Sequence, residues 1–284
     1  MKTIHLHIGL PKTATTLIQN TMFAFPEILR KYGIQYLQSG TDKFGARGHH
    51  MLVFATLGKC PAIRPRTTPE EIEEAWPLAL AEIDASDNQH FFISSENFSV
   101  GVIDPDDITN IRNALKGYKV NVILVLRDVA DFVDSVYAQR LKGGFDGSVE
   151  ELVARTWDKL HWRNMTQNWS RIFGRSNVKV LDFNALKTGN LVDNFVQRVF
   201  GLTFDAETFP RETMNPALPY YAAEIVREVN ASQIATKQKN AFRIHMRDFF
   251  STHGSEGTFR KAQFLSPDSR AILRHYCQWP TVDK

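Results

Sequence analysis

The chain has 284 residues, 43% of them hydrophobic and 23% charged, with 34 Lys and Arg against 31 Asp and Glu for a formal net charge of +3. That balance fits a globular chain with volume for one large α/β core, and so mild a charge argues against nucleic acid as a general partner. Two cysteines, Cys60 and Cys277, far apart and outside any CxxC spacing, exclude a disulfide framework or a cysteine zinc site and fit a reducing, cytoplasmic setting.

In chain order, "TIHLHI" (3–8) reads as a first strand, so close to the start that no secretory leader is expected. Its histidines, His5 and His7, alternate and read as structural or as pocket lining. A helical pattern follows from about Thr15 to Arg30. "IQYL" (34–37) is a candidate strand, and "QSGTDKFGARGHH" (38–50) is a loop by composition. In "TTPEEIEEAW", Thr68 is a helix N-cap, Pro69 takes the first helical position, and Glu70 and Glu71 occupy the first turn.

"HFFIS" (90–94), "VNVILVL" (120–126) and "NVKVLDF" (177–183) are short, apolar and rich in β-branched or aromatic residues, as buried parallel strands are. Between the last two, residues 129–141 place Val129, Phe132, Val133, Val136 and Tyr137 on one helical face. Two more segments, 142–148 and 251–263, are loop-like, and from about residue 215 the pattern is mainly helical. No apolar run is long enough to span a bilayer. Strands alternating with helices predict a single α/β domain over 1–284, three-layered, with a central parallel sheet of four to five strands. Ligands in such sheets bind beyond the carboxyl ends of the strands, so the polar residues at those ends are the candidates.

After the first strand comes "GLPKTATT", residues 9–16. A loop entering a helix N-terminus offers backbone N–H groups and the positive end of the helix dipole to an anion. Lys12 adds a charge, and Thr13, Thr15 and Thr16 add hydroxyls. A nucleoside-triphosphate loop reads G-x-x-x-x-G-K-[ST]; here Gly9 stands three positions before Lys12 and no glycine adjoins the lysine, so the cradle is shorter. After the strand at 120–126 come Arg127, which can grip a phosphate through charge-assisted bonds, and Ser135 eight positions later.

Together "HIGLPKTATTLIQ" and "LRDVADFVDS" resemble the 5′-phosphosulfate loop and the 3′-phosphate motif of sulfotransferases that use 3′-phosphoadenylyl sulfate (PAPS), in particular bacterial, carbohydrate-type members. "HWRNMTQNWSRIFGRSNVKVLDFNAL" and the segments "NLVDNFVQRVFGL" and "MNPALPYYAAEIVREVN" are similar to later parts of such chains. The resemblance implies a P-loop-type fold and a PAPS site in which Pro11, Lys12, Thr13, Ala14, Thr15 and Thr16 hold the 5′-phosphate and sulfuryl group. Arg127 and Ser135 would take the 3′-phosphate, and Arg260 and Lys261 would close over the adenosine end. No metal is implied. Ala14 stands where the family usually has glycine, which requires a helical, negative φ at that residue.

Sulfuryl transfer also needs a base for the acceptor hydroxyl. Glu96, just past "HFFIS" and beside Ser94 and Ser95, ranks first; His49 and His50, read as exposed in a Gly-rich loop, are the rivals. The acceptor is expected to be a carbohydrate or other small alcohol. Two alternatives remain: an ATP- and magnesium-dependent P-loop kinase, and a non-catalytic protein that binds a nucleotide or glycan on the same fold.

Overall fold

The computed structural model describes residues 1–41, 47–59, 67–102, 104–202, 208–209, 219–253, 262–277 and 279–280. In chain order the elements are β1 (Thr3–His7), α1 (Thr15–Ala24), α2 (Pro26–Arg30), β2 (Ile34–Tyr36), α3 (His50–Leu57), α4 (Pro69–Glu73), α5 (Ala75–Ala85), β3 (His90–Ser94), α6 (Asn97–Gly101) and α7 (Pro105–Ala114). They continue with β4 (Lys119–Leu126), α8 (Val129–Lys142), α9 (Val149–Thr156), α10 (Trp162–Phe173), β5 (Val178–Asp182), α11 (Phe183–Leu186), α12 (Leu191–Phe200), α13 (Tyr220–Ala231), α14 (Thr236–His253) and α15 (Pro267–Tyr276).

Two compact units emerge, each discontinuous in sequence. The first includes Met1–Arg127 and Arg163–Glu212; the second is Asp128–Trp162 with Thr213–Pro280. The first unit holds one all-parallel sheet of five strands in the order β2-β3-β1-β4-β5, as the alternation of strand and helix patterns predicts. Register places His7 of β1 opposite Ser94 of β3 and Ile123 of β4. The chain therefore leaves β1 at the centre of the sheet, between two parallel neighbours, where connections depart in both directions.

Right-handed crossovers put α1 and α2 on one face and α3 to α7 on the other. On the first face, Ile18 and Met22 of α1 and Leu29 of α2 pack with Phe195, Val196 and Val199 of α12 over Tyr36, Phe92, Ile123 and Val125 of the sheet. The strand residues facing the other way, Ile4, Leu6, Phe91, Ile93, Val122 and Leu124, are buried too. Burial on both faces is why these strands read as continuous apolar runs.

Three boundaries depart from expectation. The helix predicted over 15–30 breaks at Phe25 (φ −122°, ψ 53°), because the ring of Pro26 clashes with a helical conformation in the residue before it. The loop predicted over 38–50 ends in α3, which begins at His50. The loop predicted over 251–263 starts later, since α14 runs to His253. Thr68 does cap α4, through a full capping box with Glu71.

The second unit is helical. Its frame is a ladder of charges in which Asp128, Asp131 and Asp134 of the α8 end meet Arg274 and Arg270 of α15. Asp134 also accepts the backbone N–H groups of Phe264 (2.9 Å) and Leu265 (3.2 Å). Nearby, the Asn230 side chain of α13 donates to the carbonyls of Leu141 and Phe145, both at 2.9 Å.

Candidate functional site

The loop after β1 starts as an extension of the sheet: Ile8 and Leu10 donate to the carbonyls of Ile123 and Val125, and Val125 donates back to Gly9. It then turns sharply. Lys12 has φ 64° and Ala14 has φ 60°, so the expectation of a helical, negative φ at Ala14 is corrected. The reason is geometric. The chain must swing from strand to helix over a few residues, and left-handed positions flanking Thr13 turn successive backbone N–H groups to one side, the arrangement that forms anion-binding concavities.

The helix that follows is left open at its start. No side chain caps α1, and no acidic residue lies in its first turn, whereas Asp104, Asp128, Asn190 and Ser266 each cap a helix elsewhere. The loop's hydroxyls divide in use. Thr13 and Thr15 both donate to the carbonyl of Leu10, at 2.6 and 3.0 Å, which satisfies a buried acceptor and leaves their oxygens able only to accept. Thr16 is exposed, and Pro11 and Lys12 are half-buried.

Arg127, at the end of β4, is 6% exposed. Its Nη1 donates to the carbonyl of Lys12 at 3.1 Å, and its guanidinium lies 5.4 Å from the ring centroid of Phe183, which follows β5. Two segments that are far apart in sequence thus meet at the same loop. Ser135 lies half-buried on α8 in the second unit. Arg260 and Lys261 fall outside the described residues.

Glu96 stands on the β3 side of the same loop. It occupies the N-cap position of α6 but makes no cap hydrogen bond. Its Oε2 accepts from Nε2 of Gln19 on α1 at 3.2 Å. Gly9 is the contact that brings β1's exit against it: a Cβ on Gly9, already at φ +100°, would stand 2.9 Å from the Glu96 Cα and 3.0 Å from its Cβ. Only glycine fits there.

Both histidines are buried, which corrects the exposed reading. His49 is 0% exposed. Its Nδ1 accepts the backbone N–H of Ser94 at 3.0 Å, and its Nε2 lies 3.0 Å from the carbonyl of Leu37, so the ring carries its proton on Nε2 and donates it there. Both nitrogens are committed to the backbone. Burial pulls its pKa down to about 4 and outweighs those hydrogen bonds. His50 is 7% exposed, with Nδ1 2.7 Å from the Ser95 hydroxyl and 3.1 Å from Nδ2 of Asn97.

Beneath these lie His5 and His7, whose pKa values are driven to about 3 mainly by burial. His7 Nδ1 is 2.9 Å from the Ser94 hydroxyl. The reading of both as structural fits their place inside the sheet.

Gln19 was not singled out from the sequence. A signal was present: it lies one position after Ile18 and three before Met22, a polar residue on the apolar side of a helix, where burial without a partner would be costly. Among the described residues, no group of three or more His, Cys, Asp or Glu could hold a metal ion. Asp128, the strand-end acid a kinase would use, is held by Arg274 at 2.8 Å and caps α8 through the Asp131 N–H.

No family model matches the chain, and no curated relative matches it. Among solved structures it is similar to a sulfotransferase from Alicyclobacillus acidocaldarius, at 14% identity over 89% of this chain and 96% of that one, with a TM-score of 0.49. It is also similar to the sulfotransferase domain from the curacin biosynthetic pathway, at 11% identity over 97% of each chain, with a TM-score of 0.42. Likeness this distant transfers no chemistry, so the chemistry rests on the side chains themselves.

Proposed function

We propose that the chain is a sulfotransferase that moves the sulfuryl group of PAPS to a hydroxyl of a carbohydrate or other small alcohol. One observation carries the reading: the guanidinium of Arg127 reaches the carbonyl of Lys12 at 3.1 Å. It joins the two motifs that a donor phosphorylated at both its 5′ and 3′ positions needs. The uncapped start of α1 and the left-handed residues Lys12 and Ala14 fit the 5′-phosphate end. Arg127 fits the 3′-phosphate, with Ser135 taken there on the resemblance of its motif.

PAPS supplies the sulfuryl group and a phosphate leaving group. Glu96 takes the proton of the acceptor hydroxyl as that oxygen bonds to sulfur, and the bond from sulfur to the phosphate oxygen breaks to release adenosine 3′,5′-bisphosphate. Lys12 offsets the negative charge that gathers on the leaving oxygen. Glu96 is preferred to His49 because both nitrogens of that ring are engaged by backbone groups, and to His50 because Glu96 lies directly against Gly9 of the donor loop. The geometry otherwise resembles phosphoryl transfer in relying on position and charge more than on covalent chemistry.

Thermal melts with adenosine 3′,5′-bisphosphate, alone and against ATP with magnesium, test the reading. The bisphosphate should stabilise the chain without metal, by about 2.7 kcal/mol at one hundred times its dissociation constant. Arg127→Ala should lose most of that shift, Ser135→Ala part of it, and Glu96→Gln little, while Glu96→Gln should depress turnover across a panel of sugars, phenols and alcohols. A preference for ATP with magnesium would turn the reading toward a kinase. Bisphosphate binding with no release of it from PAPS in any acceptor, water included, would leave a binding protein.

A further inference from the structure

We propose that Gln19 is a positioning residue: its side-chain amide holds the Glu96 carboxylate against the donor loop and leaves one carboxylate oxygen for the acceptor. The inference rests on Glu96 being the base.

Gln19 is 3% exposed, and the surroundings decide which way its amide points. Within 3.4 Å of Nε2 lie the Ser94 carbonyl, the Ser94 hydroxyl at 3.2 Å and Glu96 Oε2 at 3.2 Å. A carbonyl and a carboxylate are acceptors only, so the NH2 group must face them; the flipped amide would set oxygen against oxygen. One N–H serves Ser94 and the other serves Glu96 Oε2. The second carboxylate oxygen, Oε1, takes no part in this contact.

Glycines press on the pair at two points. A Cβ on Gly48 would stand 2.8 Å from Gln19 Nε2 and 2.9 Å from its Oε1, and a Cβ on Gly9 would stand 2.9 Å from the Glu96 Cα. The amide therefore has little room to turn, and the Glu96 backbone has little room to retreat.

Support also comes from below. The Ser94 hydroxyl accepts from Gln19 and shares a hydrogen bond with His7 Nδ1 at 2.9 Å. His7 is fully buried against Phe92 and Phe195, so a neutral ring anchors a run from His7 through Ser94 and Gln19 to Glu96. His7 Nε2 is buried without a hydrogen-bond partner among the described residues, a cost that a plain apolar core would not carry.

The consequence is a fixed distance between donor and base. Gln19 sits one turn beyond Thr15, whose hydroxyl is bonded to the Leu10 carbonyl of the loop. One rigid helix thus carries the open N-terminus that faces the donor and the amide that aims the carboxylate. Errors of about 1 Å in such a placement cost about a hundredfold in rate.

The test is Gln19→Met, which keeps the length and removes the donor, compared with wild type, Glu96→Gln and the double variant. Expected is a loss in kcat of roughly 10- to 100-fold with an unchanged dissociation constant for adenosine 3′,5′-bisphosphate, and no further loss in the double variant beyond Glu96→Gln. If Gln19→Met does not fold, Gln19→Asn, which keeps the amide but shortens its reach to Glu96, should reproduce the split between kcat and binding. Unchanged kcat in a folded variant, or losses that multiply in the double variant, overturns the role of Gln19 while the sulfotransferase reading stands. A wild-type chain that neither binds the bisphosphate nor consumes PAPS overturns that reading, and this inference with it.

Discussion

At the scale of single residues, what a sequence reveals depends on whether chemistry or packing selects the residue. Lys12, Arg127 and Glu96 stand just past strands, where polar side chains have few structural reasons to be, and their candidacy was legible. The conformation of Ala14 was not, because its φ of 60° is imposed by the turn between β1 and α1. A left-handed alanine costs about 1 kcal/mol or more, partly offset in a glycine variant by the greater freedom of the unfolded chain. Ala14→Gly should therefore raise the urea midpoint, by up to about 1 kcal/mol in stability, with bisphosphate binding retained. A lower midpoint would mean that the alanine methyl makes contacts worth more than the strain. The burial of His49 and His50 was equally illegible, since a Gly-rich neighbourhood describes the local chain and says nothing of the strand it will lie against.

At the scale of elements, β1 carries two histidines into the centre of the sheet and the start of α3 presses His49 onto β3. His5 and His7 are held to about 3 and His49 to about 4, below the ordinary value near 6.5. Below pH 6.5 the unfolded chain binds protons at these rings that the native chain refuses, so their contribution to stability falls with falling pH and is level above that value. Each histidine should cost about 2 kcal/mol at pH 5. Three together approach the whole stability of a typical domain, and urea midpoints should collapse between pH 6.5 and pH 5. Level midpoints across that interval would show that the rings are not neutral and buried. In the second unit, the join of α15 to α8 depends on Asp134, 2% exposed, which accepts from Arg270 and from two backbone amides. Asp134→Ala should destabilise by about 3 kcal/mol, the cost of leaving buried donors without their acceptor. A change within about 0.5 kcal/mol, the range of an ordinary surface substitution, would assign the join to apolar packing.

At the scale of the whole molecule, a net charge of +3 leaves no strong general field, so attraction for a doubly phosphorylated ligand must come from local groups, Lys12 and Arg127 foremost. Arg127 is nearly buried and Lys12 half-buried, and salt screens buried charges less than exposed ones. Bisphosphate affinity measured from 0.05 to 0.5 M salt should thus weaken by about tenfold or less; a steeper fall would place the binding charges on the open surface. The sequence by itself determined part of the local structure: four strands and a candidate fifth, the cap at Thr68, and which polar residues stand at the strand ends. All of these follow from period and residue type, which are local. Only the tertiary structure decided the order β2-β3-β1-β4-β5, the convergence of Arg127 on Lys12, and the burial of His49 and Gln19. Those depend on which strands lie side by side, and strands distant in sequence become neighbours through the burial of their two faces together, a sum over the whole core that no single stretch of chain contains.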